Sequence, residues 1–420
     1  MGSSGIGSTA GCGIAGALAS ENPPNHIVAV LEALQFSTPS THRLDHLVEK
    51  EWLQLLDWCD TRQLTLSLPN CCGPSLPADV RANILEKSKR YAIRFERLKS
   101  NLFEITGALH AAQLDFVLLK GLSHAPVMTP NALLRAQGDI DLWLRGPNVY
   151  KAQEVLQTLG YAFAAGSRSR HLGPMARPNN WRWRGDLFDP EMPISIELHY
   201  ELWSSEAECI EVPQLEQFWA RKIVRDFDGH KIHVLCDQDL LGFAALHLLL
   251  HLVHGDLPLQ RAWEIARFLD IHTADERFWE TWRITHCAEL RRLETSIYYL
   301  VSRWFSCRLP QSVSDYAVNM TNGLRYWLDK FYLSPLSGQW RPNKREVWLH
   351  LALINNRRNK FKVLFRRLFP RTLPQTQQGV TSPALLVRHL QLITSRLARH
   401  VSTLIPTIFD GVRLLVLRRL

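Results

Sequence analysis

Apolar residues recur at three- and four-residue steps through the first quarter of the chain. Leu44, Leu47, Val48, Trp52, Leu55 and Leu56 form one stripe; Ile84, Tyr91, Phe95, Leu98, Leu102 and Ile105 form a second. Helices are therefore expected on both sides of a break at Cys71-Cys72-Gly73-Pro74 and Pro77, with the adjacent cysteines in a loop. The period changes at Leu114. Phe116 to Leu119 reads as a short buried strand that turns at Lys120-Gly121. Asp139-Ile140-Asp141-Leu142-Trp143-Leu144 begins by alternating, as a strand with one wet face would. Gly146-Pro147-Asn148 opens a helix through Val149, Val155 and Leu159, with Gly160 placed to cap it. Ile194, Ile196 and Leu198 alternate with Ser195, Glu197 and His199, a period-two strand. Ile223 to Phe227 and Lys231 to Leu235 flank Asp228-Gly229, a hairpin signal. Helical spacing returns at Leu240 to His254, Leu259 to Ile271 and Phe278 to Phe305, and Pro335 to Pro342 reads as a linker.

The pattern implies an α+β protein in five stretches. These are a flexible leader (1–25), an N-terminal helical region (26–113), an α/β core (114–235), a helical region (236–335) and a C-terminal helical segment (336–420). No repeat of fixed period is present. Composition supports folded cores: 46% of the 420 residues are hydrophobic, with 14 Trp and 17 Phe, too many for a largely disordered chain.

The net charge of +9 is uneven. Residues 341–420 hold 16 Lys and Arg against two acids, whereas the first 340 hold 33 basic and 38 acidic residues. The basicity thus belongs to the last segment. No uncharged apolar run reaches about 18 residues, so no transmembrane helix is expected. Met1 to Ser20 lacks the basic start of a signal peptide, and Ile6 stands where myristoylation wants Ser or Thr. The eight cysteines show no CxxC pair and read as reduced thiols of a cytoplasmic protein.

The chemistry concentrates between Lys120 and His199. Side chains two apart on a strand share a face, so Asp139 and Asp141 project together. Such carboxylates repel each other unless a cation lies between them, and all-oxygen ligands suit Mg²⁺ or Mn²⁺. Glu197, on the polar face of a second strand, is the best third carboxylate for two-metal phosphoryl transfer. Arg135 stands four residues before Asp139, where a phosphate-binding arginine would serve.

Leu118-Leu119-Lys120-Gly121, Arg135-Ala136-Gln137-Gly138-Asp139-Ile140-Asp141-Leu142, the helix ending Leu159-Gly160-Tyr161, and Ile196-Glu197-Leu198-His199 together resemble the uncharacterised bacterial nucleotidyltransferases of the DNA polymerase β superfamily. Leu246-His247, His251 and the stretch Arg261 to Ile265 extend the resemblance, which covers roughly residues 40–275. It implies a polymerase-β-like palm at 114–235 and metal binding by Asp139, Asp141 and Glu197, with Glu197 helping to deprotonate the acceptor. It further implies nucleotide binding by Lys120, Gly121, Ser123, Arg135 and His199. The superfamily's Gly-Ser turn is replaced here by Lys120-Gly121. On this reading the chain moves a nucleoside monophosphate from an NTP to an unknown acceptor (a small molecule, peptide, protein or RNA), with Mg²⁺ or Mn²⁺. The alternatives are a degenerate nucleotide- or RNA-binding protein of the same fold and a phosphoryl transferase using the same metals. Neutralising Asp139 or Asp141 is expected to leave the fold intact or slightly more stable.

His247, His251 and His254 share a helical face and are read as core or pocket-lining residues ahead of a zinc site, which would want an HExxH glutamate. Glu201 continues the face of Glu197 and His199. Arg182 and Arg184, alternating with Trp181 and Trp183, suit a solvated hairpin or a basic strand edge. The basic segment interleaves Arg357, Arg358, Lys360, Lys362, Arg366 and Arg367 with Phe361, Phe365 and Phe369. That pattern suits a helical extension on the body, RNA, or an anionic membrane surface with peripheral binding.

Overall fold

The alternation of Ile140 and Leu142 with Asp139 and Asp141 forms a strand at the middle of a seven-stranded mixed sheet. The computed structural model describes Ile14 and residues 21–163, 170–368 and 401–412. Helices α1 (Asn25–Ala33), α2 (Glu49–Thr61) and the long α3 (Ala78–Ala111) lead into β1 (Val117–Leu118) and β2 (Asp139–Trp143). Then come α4 (Asn148–Thr158), the two-residue strands β3 (Ala162–Phe163) and β4 (Met175–Ala176), β5 (Ser195–His199), and the hairpin β6 (Ile223–Phe227) and β7 (His230–Val234). Helices α5 (Asp237–Val253), α6 (Leu259–Ile271), α7 (Glu276–Thr285), α8 (Ala288–Phe305), α9 (Gln311–Val318), α10 (Asn322–Lys330), α11 (Glu346–Leu353) and α12 (Arg357–Leu368) follow. Residues 401–412 are also helical. Strand order is β3-β4-β5-β2-β1-β7-β6. β2 runs parallel to β5, and β1 parallel to β7, while β1 and β2 are antiparallel.

The period-two pattern sorts the two sheet faces. Leu118, Ile140, Leu142, Ile196, Leu198 and Val234 pack with the apolar stripe of α3 and with α4. Val117, Leu119 and Trp143 join a larger core built from α1, α2 and the helices after the sheet. The central polar residues of β2 and β5 therefore lie between a sheet and a helical layer. The hairpin turn behaves as Asp-Gly requires: Asp228 and Gly229 take φ of 52° and 85°, which glycine adopts without strain and aspartate tolerates.

Several expectations are corrected. Asp141 does not sit on a wet face; it is 1% exposed, because the helical layer covers that side. Cys71 and Cys72 end a short helix, Leu68–Cys72. Pro335 to Pro342 is no open linker: Ser334–Ser337 form a helical turn with Leu336 and Ser337 buried, and Pro335 sits in its first turn, where no N–H is needed. The segment 181–184 forms neither a strand nor a hairpin, and Trp183 is exposed. The flanking strands β3 and β4 are too short to leave a periodic signal. Leader residues before 21, other than Ile14, and most of the C-terminal helical segment expected at 336–420 beyond residue 368 lie outside the described residues. The seven described cysteines are free, and no described helix is long and apolar enough to cross a membrane.

Phe278 to Phe305 is not one helix. It breaks at His286-Cys287, where His286 is extended and its imidazole is buried between two carboxylates. Nδ1 lies 2.8 Å from Glu294 Oε1 and Nε2 lies 3.0 Å from Asp239 Oδ1, and Trp282 Nε1 donates to Glu294 Oε2 at 2.8 Å. Burial alone would push this imidazole down, but Glu294 and Asp239 override it and raise the group to about 9. A group raised above its unfolded value of about 6.5 stabilises fully below that pH and loses its contribution as pH climbs through 9. The melting temperature of wild type should therefore fall between pH 6.5 and 9.5, and a parallel fall in His286→Gln would show that another group is responsible.

Candidate active site

In-register pairing of two parallel strands assembles the site. Asp139 pairs with Ser195, Asp141 with Glu197 and Trp143 with His199, so Asp141, Glu197 and His199 converge from two adjacent backbones. One ligand atom from each of these three residues lies within 4.8 Å of the others, and among the described residues they form the only such group. Asp139, one step earlier on the same face, is outside that group and is partly exposed.

Helix α3 fixes the approach of the chain to β2. The Tyr91 hydroxyl donates to the Arg135 carbonyl at 2.6 Å and accepts from the Gln137 N–H at 3.2 Å. Arg94, one turn along, donates to the carbonyls of Gly138 (3.4 Å), Pro193 (3.3 Å) and Met192. It thus ties the residue before β2 to the segment before β5. Gly121 turns the chain after β1 with φ of 70°, and a Cβ there would lie 2.5 Å from the buried Gln137 side chain.

Asp141 accepts from Lys120 Nζ at 2.8 Å and from His199 Nε2 at 2.9 Å, all on Oδ1. Burial alone would raise its pKa, but Lys120 and His199 override burial and hold the carboxylate well below its usual range. Burial pushes the His199 imidazole down to about 4, so the ring is neutral near pH 7. Glu197 keeps 17% of its side chain exposed, 3.7 Å from His199 Nε2.

The cations expected at phosphates rest on carboxylates. Lys120 is on Asp141, and Arg135 Nε lies 3.1 Å from Glu264 Oε1 on α6. Glu264 also meets His124 Nδ1 at 3.3 Å; burial would raise Glu264, but Arg135 and His124 bring it down to about 2. Ser123 is buried, and its Oγ finds no hydrogen-bond partner among the described residues.

The histidines of α5 divide. Arg261 Nη1 donates to His247 Nδ1 at 2.9 Å and to His251 Nε2 at 2.7 Å, whereas His254 meets Glu208 at 3.0 Å. Arg261 stands among them where a zinc ion would have had to stand. Burial, then the neighbouring Arg135, lowers the Arg261 pKa, while Asp139, Asp141 and Glu264 oppose this. Its Nε is buried without a partner among the described residues. Arg261 and Glu264 were legible only as part of the stretch Arg261 to Ile265 that extends the family resemblance, with no role attached to either. His171, 3.5 Å from Glu197, was invisible because it arrives from the chain between β3 and β5.

The profile of a family described as an uncharacterised nucleotidyltransferase matches residues 45–306, more than half of the chain. The chain belongs to that family. No curated protein and no solved structure matches it. The family match runs from just before α2 to the end of α8 and contains every residue of the site. The three converging side chains of this nucleotidyltransferase fit a divalent cation by charge and donor type.

The buried ion pair corrects one expectation about stability. Neutralising Asp141 would strand a buried ammonium, which typically costs on the order of 3 kcal/mol. Urea unfolding should show a loss of that size for Asp141→Asn and little change for Asp139→Asn; equal effects would contradict the pairing. Gly121→Ala forces a side chain into a left-handed backbone and against Gln137, so it should cost at least about 1 kcal/mol. An unchanged melting temperature would rule out that close approach.

Proposed function

We propose that this nucleotidyltransferase is metal-dependent and transfers a nucleoside monophosphate from an NTP to an acceptor hydroxyl or phosphate, on a polymerase-β-like palm at residues 114–235. The observation that carries this reading is the register that sets Asp141 opposite Glu197, with Lys120, Arg135 and Arg261 around them. Asp139, Asp141 and Glu197 would hold Mg²⁺ or Mn²⁺. When bound, the ion neutralises phosphate charge and makes the acceptor oxygen a better nucleophile.

The chain's own residues do the rest. Glu197, the most accessible of the converging side chains, takes the proton of an acceptor hydroxyl. The acceptor oxygen bonds to the α-phosphorus as the bond to the bridging oxygen of the β-phosphate breaks, and pyrophosphate leaves with that electron pair. The Gly121 turn presents its backbone to the triphosphate, while its missing Cβ leaves room for the Gln137 side chain. Lys120 and Arg135 exchange their carboxylates for phosphate oxygens, Arg261 offers its unmatched Nε–H, and Ser123 Oγ donates to the nucleotide. His199, neutral, orients Asp141.

One observation favours a second reading. Lys120 Nζ already neutralises Asp141 at 2.8 Å, as it would in a degenerate, binding-only relative. For that reading the basic helix α12, with Phe361 exposed among Arg357, Arg358 and Lys360, would supply an RNA or anionic-membrane contact. Thermal shift with each NTP, with and without Mg²⁺ or Mn²⁺, separates the two. Metal-dependent stabilisation of at least a few degrees by one NTP, lost in Asp139→Asn, is expected for the enzyme. No shift with any NTP would remove the enzymatic reading.

A further inference from the structure

A helix on the surface of a water-soluble body buries its apolar side and shows its polar side. The helix at residues 401–412 does the reverse. Thr403, Thr407 and Gly411 are its buried positions, a stripe at four-residue steps that turns toward the body. Gly411 lies so close to Trp348 on α11 that a Cβ there would overlap the indole ring. Asp410, the one charged residue in this stretch, meets Arg345 Nε at 2.9 Å just ahead of α11. Thr407 Oγ1 donates to the Thr403 carbonyl at 2.6 Å, which satisfies the hydroxyl inside the helix.

The other side carries Val401, Ile405, Ile408, Phe409 and Val412, each between 48% and 72% exposed. Steps of four, three, one and three put them on one helical face. Two separate contacts fix that face outward, since only a residue without a side chain fits against Trp348 and Arg345 holds Asp410. Clustered exposed apolar side chains of this kind mark a surface that meets a partner.

The charge beside this face says which partner fits. α12 also packs on α11, held by the buried Val363 and by Arg366 and Arg367, which donate to the carbonyls of Ala207 and Val253. It leaves Phe361 69% exposed, and Arg357, Arg358 and Lys362 are exposed around that ring. Residues 341–420 hold 16 Lys and Arg against two acids, of which Asp410 is already paired. An anionic bilayer takes both features: its headgroups attract the cations, and its acyl boundary receives apolar side chains. Nucleic acid would use the cations but not Val401, Ile405, Ile408 and Val412, which offer no ring for a base to stack on. No described helix is long and apolar enough to cross a bilayer, so the contact is with its surface.

We propose that residues 401–412 and α12 form a docking surface for an anionic lipid bilayer. Ile405, Ile408 and Phe409 enter the boundary between headgroups and acyl chains, and Arg357, Arg358 and Lys362 lie against lipid phosphates. The proposal goes beyond the nucleotidyltransferase reading and does not depend on it, because none of these residues belongs to the site.

Co-sedimentation of the full-length protein with phosphatidylcholine vesicles, with and without about one third phosphatidylglycerol, tests the proposal. Binding should be at least about tenfold stronger on the anionic vesicles and should weaken as salt is raised. Ile405→Ser combined with Phe409→Ser should cut that binding at least about fivefold. Arg357→Gln, Arg358→Gln and Lys362→Gln together should reduce it to the level of the neutral vesicles. The substituted side chains are exposed, so melting temperatures should stay within about 2 °C of wild type. If a variant unfolds, the lipid dependence of wild type still decides. Equal binding to both vesicles, or binding to neither, overturns the proposal. Single-stranded RNA bound through the same three cations, with no binding to anionic vesicles, overturns it and gives the surface to nucleic acid. A dimer that dissociates in the Ile405→Ser, Phe409→Ser variant, again without vesicle binding, overturns it and makes a second copy the occupant. Thermal shift with NTP reads the nucleotidyltransferase proposal separately from all of these results.

Discussion

The site depends on one constraint, the in-register parallel pairing of β2 with β5. Side chains on strands alternate, so a slip of one residue would turn Glu197 and His199 toward α3 and bring Ile196 and Leu198 to the site. The register is held by the apolar halves of both strands, whose Ile140, Leu142, Ile196 and Leu198 are all buried against α3 and α4. It is also held by Arg94, which grips the carbonyls just ahead of each strand. A single buried guanidinium thus connects the longest helix to the geometry of the carboxylates.

Around that frame the site is a compact knot of opposite charges. Asp141 is paired with Lys120, and Glu264 with Arg135, each almost wholly buried. Buried charges are retained only where they are matched, and the cations of these two pairs lie near the carboxylates of β2. The same pairs explain why the carboxylates stay ionised in spite of burial.

The helical layer does more than cover the sheet. α5 brings His247 and His251, and α6 brings Arg261 and Glu264, to the polar face of β2. The Arg261 guanidinium holds both histidines in one arrangement through Nη1. The His286 clamp between Asp239 and Glu294 joins α5 to α8, so the helix that supplies the histidines is itself anchored by charge.

Much of this was legible in the sequence. The strands at β2, β5, β6 and β7, the helix between Gly146 and Gly160, the face shared by Asp139 and Asp141 and the face shared by Glu197 and His199 followed from side-chain period and turn residues, which are local properties. The family, too, was legible from motif order. The break at His286 was not, because its cause is a pair of carboxylates one of which lies 47 residues away. Nor was the burial of Asp141, since alternation reports which face a residue is on and not what covers that face. His171 came to the site through a strand pairing too short to leave a periodic trace. Sequence alone determined the elements, the family and the chemical types on the polar face, because these are written in spacing and residue identity. Only the tertiary structure decided which charges neutralise which and which imidazoles meet the carboxylates, because those are set by contacts between residues far apart in the chain.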